Sequence, residues 1–141
     1  MKRRLYFLLN RARTVLQRYA DSGVTREIGV PVAQVSVLFA VEKHPGATLA
    51  ELAKVIGLNN PGMTSLAQRM VDGGLLVKSP VPGDQRAWSL NMTDRGLQAC
   101  AAAKPLLAKM NRQLEAGFTA EELDVVARFL EAVTQRFDTK E

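Results

Sequence analysis

Gln68 and Arg69 sit on one side of a stretch whose other side is apolar, and that separation decides the chemistry open to them. From Asn60 to Asp72, Met63, Leu66, Ala67 and Met70 recur at helical spacing. Gly62, Thr64, Ser65, Gln68, Arg69 and Asp72 fall on the opposite face. A glutamine amide there can pair with adenine, and a guanidinium with guanine or a phosphate. Each good bidentate pair is worth about 1–3 kcal/mol of discrimination. The small hydroxyl residues Thr64 and Ser65 let the backbone approach the floor of a groove. Asn60-Pro61 opens the helix, and the N–H groups of a first turn suit a phosphate. The same composition also fits a plain solvated face, so the elements around it must decide.

Those elements start at Leu49. Leu49, Leu52, Ala53 and Ile56 follow the i, i+3, i+4, i+7 pattern of one short amphipathic helix. Thr48 and Glu51 ahead of it match a capping box. Gly57 supplies a tight exit, and Asn59-Asn60-Pro61 starts the next helix with proline in its first turn. Two short helices across a glycine turn form a helix-turn-helix. The second helix should end at Gly73-Gly74 in a left-handed cap.

After that cap, Leu75 to Lys78 reads as a strand and Pro80-Val81-Pro82-Gly83-Asp84 as a loop. A second strand runs from Ala87 to Met92, with Trp88, Leu90 and Met92 on one side. The hairpin is a wing, with Arg86 at a protruding basic tip suited to a narrow minor groove. Asp84 does not itself favour phosphate, so its expected work is to orient Arg86 or pair with a base. Gln85 lies between them. Lys78 is a phosphate candidate at the base of the wing. Trp88 is expected to anchor the wing in the core, because it shares a face with Leu90.

Composition bounds the rest. The 141 residues fit one domain, and 47% apolar with 23% charged residues is ordinary for a globular chain. A net charge of +5 favours polyanion partners, and a dimer would double it. One cysteine, Cys100, excludes an intrachain disulfide and points to an intracellular compartment. It falls on a helix stripe, where a free cysteine is a small buried apolar residue. The apolar run after Lys2-Arg3-Arg4 stops at Asn10, too short for an export signal, and no stretch reaches the roughly 20 residues of a membrane span. A cytoplasmic location without a membrane partner follows. With a single histidine, His44, neither a His-rich metal site nor histidine-based catalysis is expected. Glu121 and Glu122 are explained by capping from Thr119, so no enzyme activity, cofactor or metal is predicted.

Long helices flank this middle. The first runs from residue 2 to about 26, with Gly23 near its end and Leu5, Leu8 and Leu9 on its stripe. The next spans Val32 to Lys43, with Val35, Leu38, Phe39 and Val41 inward. Thr93 caps another, which Pro105 should bend or split. The last carries Leu123, Val126, Leu130 and Val133 on one side and Phe129 on another. A terminal helix apolar on two sides asks for a partner subunit.

Asp84-Gln85-Arg86, followed by Leu90, Met92-Thr93 and Gly96, resembles the wing pattern of the MarR family, winged-helix bacterial transcription factors. Leu49-Ala50-Glu51-Leu52-Ala53 and Gly74-Leu75-Leu76 are similar to it as well. Met92 stands where the family usually has leucine. Ser65 stands where many members carry a basic residue, which leaves the operator sequence open. The resemblance implies a homodimer built by the first and last two helices on pseudo-palindromic double-stranded operator DNA. It further implies the reading helix in the major groove, the wing arginine in the minor groove, and a small, often aromatic, ligand that weakens binding. Some members sense peroxide through a cysteine in the first helix, and this chain has none there.

The expected fold is therefore mainly α: one MarR-like domain over residues 1–141, with 1–28 and 94–141 as dimerisation helices. Residues 31–92 form the winged helix-turn-helix lobe, with a two-to-three-stranded β wing. The expected function is a homodimeric, sequence-specific repressor whose DNA binding a small ligand modulates. The alternative is a winged-helix module for protein partners that binds DNA weakly or without specificity.

Overall fold

A computed structural model describes residues 2–138. The chain runs through α1 (Leu5–Ile28), α2 (Val32–Lys43), α3 (Leu49–Ile56), α4 (Asn60–Asp72), β1 (Leu76–Val81), β2 (Asp84–Met92), α5 (Asp94–Glu115) and α6 (Ala120–Phe137). It divides into two compact units, one up to Leu106 and one from Leu107. Among the described residues no single helix is long and apolar enough to cross a membrane.

The first unit is built around α2. Val35, Val37, Leu38 and Val41 are buried on it, joined by Leu52 of α3, Met63 and Met70 of α4 and Leu90 of β2. α3 packs against both α2 and α4, and β2 closes onto α2 and α3. Val37, on the far side of α2 from Val35, is as buried as Leu38. Phe39, expected inward, is only half-buried. A helix covered on several sides loses the single stripe that periodicity looks for.

Local chemistry sets the boundaries. Thr48 caps α3 by accepting from the Glu51 amide at 3.2 Å, which is the threonine half of the expected capping box. At Thr119 both halves form, with Glu122 reaching back to the Thr119 amide. Gly57 adopts a left-handed φ of 75° and turns the chain from α3 to α4. Gly23 does not interrupt α1, which runs two residues past the expected end to Ile28 and stops at left-handed Gly29. Pro105 does not split α5 either, although it cannot donate the usual helical bond to Ala101.

The two strands pair antiparallel from Leu76↔Met92 to Pro80↔Trp88, and then Val81 pairs with Asp84. Gln85, Arg86 and Ala87 thus stand opposite the single step from Pro80 to Val81, a wide bulge in β2. Thr48 adds an isolated bridge to Ser89, and the Leu90 amide donates to the Ala47 carbonyl at 3.2 Å. The wing is therefore two full strands with a one-residue third edge.

Candidate nucleic-acid interface

α4 is held by one face and open on the other. Met63, Leu66, Ala67 and Met70 are buried, while Asn60, Pro61, Thr64, Ser65, Gln68 and Arg69 line one shallow surface depression. The structure thus brings together six of the seven residues predicted on this helix. Gly62 is the exception. It turns toward the helix start, where Asn59 Oδ1 accepts from its amide at 2.7 Å, and a Cβ at Gly62 would lie 2.9 Å from that oxygen.

This cap corrects the expectation of free amides at Asn60-Pro61. Pro61 has no N–H, and the Gly62 N–H is taken by Asn59, which leaves the Asn60 amide as the first turn's remaining donor. Along the open face, Thr64 Oγ1 donates to the Asn60 carbonyl at 2.9 Å and Arg69 Nε to the Ser65 carbonyl at 3.4 Å. Gln68 Nε2 donates to Asp72 Oδ1 at 2.9 Å.

Asp84, Gln85 and Arg86 are exposed at the end of the wing, but the turn itself is Pro82-Gly83. Arg86 belongs to the bulged start of β2 and not to the tip, because both strands extend further than their hydrophobic alternation indicated. Asp84 acts on Arg86 through the backbone: its Oδ1 accepts from the Arg86 amide at 3.0 Å. That bond holds the backbone of the bulge from which Arg86 projects.

Lys78 is half-buried, with its ammonium 4.7 Å from the centre of the Trp88 ring. Trp88 is 38% exposed. It is not core, as its alternation with Leu90 had indicated, but a platform for the lysine. Register explains the difference: Trp88 pairs with Pro80 toward the wing's free end, one residue beyond Ser89, which bridges to Thr48.

Sequence reasoning did not foresee how the reading helix is fastened at its far end. Thr93 Oγ1 donates to the Gly74 carbonyl at 2.6 Å and accepts from the Gly96 amide at 3.0 Å. Arg95 donates to the Gly73 carbonyl at 2.7 Å. Together they tie the last turn of α4 to the first turn of α5. The signal was present in Thr93 and Gly96, but spacing does not reveal a contact spanning 19 residues.

The remaining singled-out groups lie away from this face. His44 is exposed at the end of α2. Cys100 is fully buried, and its thiol donates to Glu42 Oε2 at 3.5 Å. Burial, then the Glu42 carboxylate, pushes the thiol pKa up to about 11. Glu42 also pairs with Lys104 at 2.9 Å, which holds its carboxyl below the usual range. Among the described residues no three His, Cys, Asp or Glu side chains gather at metal-ligating positions.

Of the residues proposed for dimerisation, Leu5, Leu8, Val126 and Leu130 are exposed, and Leu9, Leu123, Phe129 and Val133 are half-buried. No residue of α6 is buried. At the start of α1, Tyr6 and Phe7 are also exposed, their rings edge to face at 5.5 Å.

The arrangement has known counterparts. A model described as the MarR family matches residues 28–87, from the end of α1 to the first residues of β2. Over that central segment the chain is similar to the MarR family. It is 24% identical over 118 residues to a putative transcriptional regulatory protein for the hcr operon of Thauera aromatica, covering 84% of this chain and 71% of that protein. The PcaV transcriptional regulator of Streptomyces coelicolor, solved with its natural ligand, superposes with a TM-score of 0.78 at 26% identity, covering 93% of this chain and 89% of PcaV. A mutant MarR from Escherichia coli complexed with operator DNA gives a TM-score of 0.81 at 22% identity over 92% of each chain, which shows the shared fold.

Proposed function

We propose that this chain is a MarR-family protein, a sequence-specific DNA-binding transcriptional regulator acting as a homodimer, a repressor whose grip on DNA a small ligand modulates. The observation that carries the reading is the two-sidedness of α4. One face is locked into the core by Met63, Leu66, Ala67 and Met70, and the other presents amide, hydroxyl and guanidinium groups along an open surface. A helix held so firmly can offer its side chains to a major groove without first being ordered.

In this reading Asn60, Pro61, Gly62, Thr64, Ser65, Gln68 and Arg69 meet the major groove and its flanking phosphates. Arg86, set by Asp84 and beside Gln85, enters the minor groove, and Lys78 meets the backbone. The exposed residues of α1 and α6 are covered by a second copy, so that two α4 helices face successive turns of a pseudo-palindromic operator about 34 Å apart. The chain catalyses no reaction and works in the cytoplasm. Operator-bound MarR and ligand-bound PcaV support both halves of the proposal by kinship.

The test uses purified protein and a duplex from the region flanking its own gene, with a salt titration and with phenolic or aromatic acids added. Specific binding should fall with salt at a log–log slope of about −0.9 per phosphate contact, and one class of acid should release the DNA. A flat salt dependence, with equal affinity for unrelated duplexes, would return the chain to the class of protein-interaction modules.

A further inference from the structure

Asp72 is an odd residue for its place. It is an acid on the open face of a helix proposed to approach a polyanion, and it sits in that helix's last turn, where the peptide dipole favours cations. Both circumstances weaken DNA binding and the helix end. Its recorded partner is Gln68, one turn earlier, whose Nε2 donates to Asp72 Oδ1 at 2.9 Å.

The chemistry of that bond settles how the amide points. A carboxylate only accepts hydrogen bonds, so the end of Gln68 turned toward Asp72 must be the nitrogen. Reversing the amide would bring two acceptors together. Once Asp72 holds one N–H, Gln68 presents outward one remaining N–H and the carbonyl Oε1, in a fixed order.

We infer that Asp72 is a positioning residue that commits Gln68 to reading adenine and to rejecting guanine. Adenine offers the major groove an acceptor at N7 and a donor at N6, the complement of the outward N–H and Oε1 of Gln68. Guanine offers acceptors at N7 and O6, so its O6 would face Oε1 with no proton between them. An untethered glutamine escapes that clash by swinging its oxygen away and donating both amino N–H groups to N7 and O6, which the bond to Asp72 forbids. The inference rests on the proposed function, with α4 as the reading helix. It adds a specificity device that works by repulsion as well as by attraction.

The experiment selects duplexes from a pool randomised over 20 base pairs, using the full-length wild type, Asp72→Asn, Asp72→Ala and Gln68→Ala in parallel, followed by sequencing. Gln68→Ala should lose the preference at one adenine position per half-site. At that same position Asp72→Asn and Asp72→Ala should lower the adenine-over-guanine ratio about tenfold. Their affinity for random duplex should rise, because a negative charge has left the interface. Falling discrimination with rising affinity is a pair of changes that a merely damaged helix does not produce.

An adenine-over-guanine ratio within about twofold of wild type in both Asp72 variants would overturn the inference, as would a wild-type half-site with no adenine that depends on Gln68. In either case the enriched half-site would still stand as evidence for DNA reading. Failure of the wild type to enrich any half-site would overturn both.

Discussion

A methyl group on Gly96 would overlap the carbonyl oxygen of Leu75, so the first turn of α5 lies directly against the segment leaving α4. Thr93 fastens the same junction with two hydrogen bonds. Gly96→Ala must move backbone against backbone, and such overpacking costs about 1–3 kcal/mol. The Thr93→Val variant loses an N-cap and leaves the Gly74 carbonyl unpaired, at a cost of about 1–2 kcal/mol. Urea denaturation should show both losses, with Gly96→Ala the larger. A Gly96→Ala protein as stable as wild type would mean that the junction has slack the structure does not show.

The bond from the Arg86 amide to Asp84 gives the wing its own test. Arg86→Ala should weaken operator binding about tenfold and flatten the salt slope by about 1, with unfolding unchanged, since an exposed side chain supports little core. Asp84→Ala should also weaken binding, by loosening the bulge that aims Arg86. Asp84→Asn keeps an oxygen that can accept from the same amide and removes a negative charge, so it should bind at least as well as wild type. Equal losses from Asp84→Ala and Asp84→Asn would show that the carboxylate's charge, and not its hold on the backbone, is what matters.

Helices were legible in the sequence wherever one face is buried and the caps are local. α2, α3 and α4 begin and end where Pro31, Thr48, Gly57 and Asn59 place them. The wing was harder to read. Its strands run through Pro80 and Arg86, residues that look like loop because a bulge and an edge position tolerate them. Trp88 was misplaced for a related reason: alternation reports which face a residue shares but not how far along the sheet the cover reaches. The stack of Lys78 on Trp88 and the fastening of Gly74 by Thr93 are contacts between elements, and periodicity within one element carries no trace of them.

Cys100 should behave as an inert thiol. It is fully buried, and its pKa is pushed up to about 11, so the thiolate that reacts with disulfide reagents is scarce at neutral pH. A chromogenic disulfide at pH 8 should modify it only after denaturant is added. The sign of the pH effect follows from linkage. With the folded pKa above the unfolded one, the folded chain binds the proton more tightly. Its stabilising contribution is complete below the unfolded value near 9 and falls as pH rises to about 11. Chemical denaturation across pH 8 to 11 should show that decline, and Cys100→Ala should lessen it. Rapid modification of the native protein would refute the buried, protonated thiol.

α6 buries none of its residues, yet Val125, Val126, Leu130 and Phe137 are all exposed apolar side chains on it. Apolar groups so concentrated on one helix are stable in water only when covered, and the proposed cover is a second copy of the chain. Leu130→Glu should therefore convert the dimer to monomer in light scattering while leaving the fold of the first unit intact by circular dichroism. Phe129→Glu should do the same with a larger loss of stability, since Phe129 is already half-buried within its own chain. Each monomer would keep one α4 and one wing, but two half-sites would no longer be engaged by one particle. Operator affinity should then collapse toward that for random duplex, because linkage of the two binding events, and not any lost contact, supplies the difference. A Leu130→Glu protein that remains dimeric would move the interface elsewhere. A monomer that keeps full operator affinity would remove the need for a pair of reading helices.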